Sequence, residues 1–239
     1  MLQNNVLLAL VRNISVFLLI VCCTACEKER MKAPLSWSSI PISDGMTQFF
    51  EVNERKFSSS ESSQNRRFYL KMVFLKDSLR FDNQVFIVEY YSASSLTTAW
   101  RLDSISLVKQ TLASFVVLER NQWQTKLQFP IYTSKSWQMY AGNAEQTSAF
   151  AQVSSLLIEK KWQEKVIPFA TEITYQADSS LIHLQKHIEW YAPSVGLLQK
   201  YQVSLQYCED SPECIGLGIV TNGYERTVSR IRLGNTLND

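Results

Sequence analysis

The chain has 239 residues, of which 46% are hydrophobic and 19% are charged, a balance that excludes a disordered or fibrous protein. Its formal net charge of +2 at pH 7 lies far from the strongly basic balance of nucleic-acid-binding proteins, so no nucleic-acid partner is expected. Glycine occurs only 7 times, which leaves few residues for the glycine-rich loops that hold phosphate groups.

The N-terminal segment has the features of a lipoprotein signal peptide. Residues 14–25 form an apolar run of 12 residues, which suits a signal-peptide core and is shorter than the roughly 20 residues that span a bilayer. The small residues before Cys26 resemble the site cut by the lipoprotein signal peptidase. The resemblance implies that residues 1–25 are removed and that the sulfur of Cys26 carries a diacylglyceryl group. The alternative is an uncleaved signal anchor over residues 6–25, which would bury Arg12 in the bilayer.

The other cysteines of the mature protein form a pair. Cys22 and Cys23 leave with the signal peptide and Cys26 is lipidated, so Cys208 and Cys214 remain. In an oxidising compartment, two thiols at this short spacing predict a structural disulfide that closes an acidic loop. A metal site is the alternative, but the pair has no nearby histidine to complete the ligand set of a zinc ion.

The mature chain is predicted to consist of a lipid anchor and polar tether over residues 26–45 and one β domain over residues 46–239. The serine-rich stretch 57–67 lacks an apolar period and is predicted to be a loop. Segments rich in β-branched and aromatic residues predict strands at residues 68–76, 84–91, 100–109, 114–120, 123–129, 179–191, 197–207 and 227–233. This series, without a convincing helix, predicts an all-β fold with a single antiparallel sheet. The sheet is expected to be curved or barrel-like, because many strands in a flat sheet would expose long edges.

Several local patterns predict further details of this sheet. Residues 149–165 fit both helical and strand spacing, and the neighbouring strands favour a strand. The pairs Gly142-Asn143 and Asn222-Gly223 are predicted to form turns, because both residue types tolerate a positive φ angle. In the last strand, alternation is expected to place Ile231 inwards and Arg230 outwards.

The two histidines lie in the strand predicted over residues 179–191. Alternation gives this strand an apolar face and a polar face predicted to be solvated, the latter formed by His183, Gln185, His187 and Glu189. Two residues four apart on a strand lie about 13 Å apart, so His183 and His187 are too distant to share a metal ion.

Motifs of catalysis and cofactor binding are missing from the sequence. It has no nucleophile elbow, no H-E-x-x-H, no P-loop and no Rossmann glycine set. The sequence therefore predicts no enzyme, no cofactor and no metal site, although a carboxylate pair assembled by folding stays open. The 6 tryptophans are expected to fill the interior of the curved sheet, and the alternative is that they line a ligand cavity.

A set of short motifs occurs in one order over residues 66–235. They are Phe68-Tyr69-Leu70-Lys71, Glu119-Arg120-Asn121, Leu127-Gln128-Phe129-Pro130, Lys135-Ser136-Trp137, Gly142-Asn143-Ala144, Tyr191-Ala192-Pro193-Ser194-Val195-Gly196-Leu197 and Gly223-Tyr224. In this order, and behind a lipoprotein signal peptide, they resemble the uncharacterised envelope lipoproteins of the Bacteroidota. The resemblance implies a place in the cell envelope and a β fold, and it carries no activity.

Two tripeptides resemble O-glycosylation sites of that bacterial group. They are Asp77-Ser78-Leu79 and Asp103-Ser104-Ile105. The resemblance implies a glycan on Ser78 and on Ser104, and the alternative is that both are ordinary turn serines.

The sequence thus predicts a non-catalytic protein anchored to the outer membrane through lipidated Cys26, facing either the periplasm or the cell surface. Its β domain is predicted to be a binding or assembly module for another envelope protein. The alternative is a carrier of lipid or another apolar ligand in a half-open β-barrel. A packed interior favours the assembly module, whereas an open apolar cavity of about 300–1,000 Å³ favours the carrier.

Overall fold

Twelve β-strands account for most of the chain that the structure describes. The computed structural model describes Trp37 and residues 39–59, 62–76, 85–119, 121–140, 149–162, 165–193 and 195–231. Cys26, Ser78 and the Gly142-Asn143 pair lie outside these ranges. Within them, no helix is long and apolar enough to cross a membrane.

The strands follow the predicted series and add three that the prediction omits, β1, β7 and β9. The last strand, β12, begins seven residues before its predicted start at residue 227. Their bounds are β1 Thr47–Ser58, β2 Gln64–Lys76, β3 Val85–Ala93, β4 Arg101–Gln110, β5 Ser114–Glu119, β6 Gln122–Gln128, β7 Ser136–Gln138, β8 Phe150–Trp162, β9 Lys165–Ser179, β10 His183–Ala192, β11 Gly196–Tyr207 and β12 Val220–Arg230.

All twelve strands belong to one antiparallel sheet. Its order is β6-β5-β4-β3-β2-β1-β12-β11-β10-β9-β8-β7, so the first and last strands of the chain meet at its centre and β6 and β7 form its edges. The edges approach each other where Thr125 N donates to Met139 O at 2.7 Å, but no strand ladder joins them. The sheet is therefore curved and not closed into a barrel, and the all-β prediction is confirmed.

The concave side of this sheet holds the main hydrophobic core. Side chains from distant strands, such as Phe74 on β2 and Tyr175 on β9, belong to one buried cluster, which requires the sheet to curve around them. Trp37 and Trp137 are both 5% exposed and pack in this cluster. Two tryptophans thus fill the interior as expected.

The folded domain begins upstream of the predicted boundary at residue 46. Trp37 forms a β-bridge with Ile131, its ring lies 5.7 Å from that of Phe129, and its Nε1 donates to Thr171 Oγ1 at 3.3 Å. Ile40 is also buried in the core. An apolar side chain is stabilised by removal from water wherever it lies in the sequence, so these residues of the predicted tether are part of the core.

The predicted loop over residues 57–67 is too long. Strand β1 continues to Ser58 and β2 begins at Gln64, because backbone pairing such as Lys56 with Gln64 needs no apolar side chain.

The strand predicted over residues 179–191 is interrupted by a turn, since β9 ends at Ser179 and β10 begins at His183. Ser180 Oγ accepts hydrogen bonds from the backbone N–H groups of Ile182 and His183 at 3.2 and 3.1 Å, which satisfies the turn locally.

Two predictions for the last strand are wrong. Gly223 lies within β12 with a φ of 125°, and a Cβ there would lie 2.0 Å from the backbone oxygen of Ser204. Glycine is thus required by the close approach of β11 and not by a turn. Arg230 pairs with buried Phe50, so its side chain points to the concave side of the sheet and not outwards. It is 3% exposed and donates a hydrogen bond to Val195 O. Burial lowers the pKa of Arg230 to about 10.

The ambiguous segment 149–165 contains strand β8, as predicted. Its pairing with β9 shifts register at three places, and Leu157 has a φ of 52°. Each bulge adds a residue and breaks strict alternation, which explains why the sequence also fits helical spacing.

Candidate functional site

A cavity of about 380 Å³ lies on the concave side of the sheet. This volume falls in the range of roughly 300–1,000 Å³ that ligand sites occupy. Its apolar wall consists of Phe50, Val52, Phe68, Leu70, Phe115 and Val117 on β1, β2 and β5. Its polar wall consists of the lining residues Lys126, Glu189, Tyr191 and Lys200, with Tyr175 and His187 in contact with them, on β6, β9, β10 and β11.

The apolar wall follows from the register of the two central strands. Phe50 pairs with Leu70 and Val52 pairs with Phe68. Successive side chains of a strand point to opposite faces, so these four share the concave face and the residues between them point outwards. Phe50 and Val52 are at most 1% exposed, so these two side chains are closely packed behind the cavity surface, whereas Phe68 and Leu70 are half-buried.

The polar wall arises from every second residue of β10. His187, Glu189 and Tyr191 point to the concave side, where Glu189 is only 3% exposed. The prediction of a solvated face is therefore wrong for His187 and Glu189. It agrees with the structure near the turn, where exposed His183 Nε2 lies 2.9 Å from Asp178. Alternation identifies the residues that share a face, but the curvature of the sheet decides which face is enclosed.

Glu189 is the centre of the polar wall. One of its oxygens accepts a hydrogen bond from His187 Nε2 at 2.9 Å and lies 3.5 Å from Lys200 Nζ, while the other accepts from the Tyr191 hydroxyl. Burial alone would raise the pKa of Glu189, but the charges of Lys126 and Lys200 and the hydrogen bond from His187 hold it well below its ordinary value. The carboxylate is therefore charged at neutral pH although it is buried.

Besides the two lysines, the groups around Glu189 are neutral. Burial lowers the pKa of His187, against the opposing effect of Glu189, so the ring is neutral at pH 7. Since a carboxylate only accepts hydrogen bonds, the proton of this ring lies on Nε2. Burial and the charge of Glu189 raise the pKa of Tyr175 and of Tyr191 well above the ordinary value.

Lys126 ties the edge strand β6 into the same network. Its side chain is 4% exposed, and its Nζ lies 3.0 Å from Glu119 Oε1 and 3.1 Å from Gln124 Oε1. The ammonium group also lies 5.3 Å from the centre of the Tyr175 ring, whose hydroxyl donates to Lys126 O at 2.9 Å. Buried charges of both signs thus neutralise each other across four strands.

The more exposed part of the cavity lining is also charged and also paired. Arg226, with a side chain 39% exposed, donates from Nε to buried Glu54 at 2.7 Å. Asp103 accepts from Arg101 Nε at 3.2 Å on strand β4. These pairs give the mouth of the cavity charges of both signs.

The predicted site residues that the structure describes, Cys208, Cys214 and Ser104, do not line the cavity. Cys208 and Cys214 form the expected disulfide, with α-carbons 5.7 Å apart, in the connection between β11 and β12. Ser104 is exposed on β4, and Cys26 and Ser78 lie outside the described residues. In the described ranges, no three histidine, cysteine or acidic side chains come together as metal ligands.

Sequence reasoning gave a cavity as the alternative but did not identify the residues that line it. Its polar wall left one signal, the alternation of His187, Glu189 and Tyr191 in a strand whose opposite face is apolar. A partly buried polar stripe of this kind indicates a paired network inside a sheet, but the partners Lys126 and Lys200 lie on other strands and have no fixed sequence distance from it.

Comparison with protein-family models, with curated proteins and with solved structures found no match. The resemblance to the Bacteroidota envelope lipoproteins therefore rests on the short motifs of the sequence.

Proposed function

We propose that this protein is a non-catalytic, lipid-anchored protein of the outer membrane that carries an apolar ligand in the cavity of its curved sheet. The observation that supports the proposal most is the cavity of about 380 Å³ between the apolar and polar walls. A module that only assembles with other proteins needs no interior space, and close packing would stabilise it more. A carrier needs such a space.

The size and lining of the cavity favour a ligand with a single apolar chain. Its volume is near the lower end of the range for ligand sites, so it does not suit a lipid with several chains. The apolar wall would gain free energy by burying such a chain, at about 25 cal/mol for each Å² removed from water. The chain would lie along Phe68 and Leu70, the half-buried side chains of the apolar wall.

A native mass spectrum of protein purified from its own membrane tests the proposal. We expect a small apolar molecule to accompany the protein. Leu70→Trp, which fills the cavity, should remove this molecule, whereas Tyr69→Trp, on the outer face of the same strand, should retain it. Equal retention by both variants would place the molecule elsewhere. A bound protein in place of a small molecule would favour the assembly module.

The membrane location is tested separately. Cys26→Ser lacks the sulfur that the diacylglyceryl group requires, so we expect a soluble protein or an uncleaved precursor on membrane fractionation. A fully processed Cys26→Ser protein that stays in the membrane would contradict the lipid anchor.

A further inference from the structure

A buried amide faces the cavity without a strong hydrogen-bond partner. Gln48 on β1 lines the cavity and is 5% exposed. Within the part of the chain that the structure describes, its one hydrogen bond runs from Nε2 to Met46 Sδ at 3.9 Å, and its carbonyl oxygen has none. Buried amides in proteins are nearly always hydrogen-bonded, and sulfur is a weak acceptor. The carbonyl oxygen of Gln48 is therefore free to accept a hydrogen bond from a ligand.

A tyrosine hydroxyl lies in the same row of the sheet. Gln48 pairs with Met72, which pairs with Tyr90 on β3, so Gln48 and Tyr90 are two strand spacings apart, about 10 Å. Tyr90 also lines the cavity, and its hydroxyl forms no hydrogen bond with a described residue. Burial, with the charges of Glu119 and Glu189, raises the pKa of Tyr90, so the hydroxyl stays neutral and able to donate.

The charged side chains of the lining are already paired. The pairs are Lys126 with Glu119 at 3.0 Å, Lys200 with Glu189 at 3.5 Å, Arg226 with Glu54 at 2.7 Å and Asp103 with Arg101 at 3.2 Å. A ligand with a formal charge beside Gln48 and Tyr90 would need to break one of these pairs or remain without a counter-charge. Both are unfavourable.

We infer that the ligand is an uncharged amphiphile, with one apolar chain against the apolar wall and a head group that bears a hydroxyl, alone or beside an ester or amide, and hydrogen-bonds to Gln48 and Tyr90. This inference rests on the proposed carrier function and adds the chemistry of the polar end. The hydroxyl of such a group donates to the Gln48 carbonyl, and its carbonyl or hydroxyl oxygen accepts from Tyr90. No ion pair of the lining has to open.

The experiment titrates the purified full chain with two single-chain lipids and reads the bound fraction by native mass spectrometry. The probes are monomyristoylglycerol and lysophosphatidic acid with the same acyl chain, which differ in head-group charge. We expect the uncharged lipid to bind at least about tenfold more tightly, since an unpaired buried charge costs more than a single hydrogen bond contributes.

Two variants test the polar contacts. Gln48→Met and Tyr90→Phe each remove one hydrogen-bonding group at similar volume, and each should weaken binding of monomyristoylglycerol by about fivefold to tenfold. Tyr69→Phe on the outer face is the control and should leave it unchanged. Melting temperatures verify that each variant folds. If Gln48→Met does not fold, the affinity of Tyr90→Phe decides the test.

The outcomes separate this inference from the proposed function. Equal or tighter binding of lysophosphatidic acid, or unchanged affinity in both variants, would overturn the inference and leave the carrier in place. Binding of neither lipid, with no small molecule retained from the membrane, would overturn both.

Discussion

The apolar wall and the polar wall enclose one cavity with different kinds of interaction. Phe50 and Leu70 need only a neighbour that excludes water, and the adjacent strand supplies it. Glu189 needs His187, Tyr191 and Lys200 at defined positions, on its own strand and on the next. The apolar wall is thus built from pairwise contacts of adjacent strands, whereas the polar wall is a network in which each group satisfies several others.

This difference teaches where the domain tolerates change. Loss of an apolar side chain that faces the cavity removes packing at one place. Loss of Glu189 leaves Lys200 without its ion-pair partner and leaves His187 and Tyr191 without their hydrogen-bond acceptor. The polar wall is therefore expected to be the less tolerant of the two.

The largest effect is expected from Glu189→Gln. The change keeps the size of the side chain but removes the charge that pairs with Lys200, and breaking a buried ion pair costs about 3 kcal/mol or more. A urea titration measures this cost as a decrease in the free energy of unfolding. Glu51→Gln, which breaks the exposed pair with Arg67 on the outer face, is the matched control and should cost less than about 1 kcal/mol. Equal costs would show that the network is not a buried one.

A smaller loss of stability is expected when the disulfide, which belongs to neither wall, is removed. Replacing Cys208 and Cys214 by serine removes the disulfide between β11 and β12. It should lower the free energy of unfolding by about 2 kcal/mol, because the unfolded chain gains loop entropy. Ligand binding should stay as it is, since the loop does not line the cavity. Free thiols on both cysteines in alkylated, non-reduced protein would reject the cross-link.

The smallest effect concerns the pH dependence of stability. Burial lowers the pKa of His187 below its ordinary 6.5, so the folded protein takes up this proton less readily than the unfolded chain. The contribution of His187 to the free energy of unfolding has its full value above about pH 6.5. It is lost as the pH falls from there towards the lower pKa that His187 has in the folded protein. His187→Gln should therefore flatten the slope of unfolding free energy against pH below 6.5, by at most about 1.4 kcal/mol per pH unit.

A second loss on acidification belongs to Glu189. Its pKa lies well below the ordinary 4.5, so its contribution is complete above that pH and is lost at lower pH, in both the wild type and the His187→Gln protein. Urea titrations from pH 7 to pH 5 measure the loss linked to His187, and titrations continued well below pH 4.5 measure the loss linked to Glu189. An identical slope in the two proteins between pH 6.5 and 5 would contradict the burial of His187.

Local sequence patterns were sufficient to predict many strands of the sheet. The strands β2, β3, β5 and β11 lie where β-branched and aromatic residues alternate, because a strand with one enclosed face imposes a period of two on its own sequence. The disulfide was predictable as well, since Cys208 and Cys214 are the two cysteines left over by the expected signal peptide and the expected lipidation of Cys26. Strands with bulges or polar ends, such as β1 and β8, were harder because they do not keep that period.

The sequence by itself determined the strand-forming segments, the pairing of Cys208 with Cys214 and the division of β10 into two faces. Only the tertiary structure decided which of those faces is enclosed. That choice depends on the curvature of a twelve-stranded sheet whose first and last strands pair at its centre. The cavity and the ion pairs of Glu189 depend on residues of distant strands, and a period of two carries no information about which strands meet across the concave side.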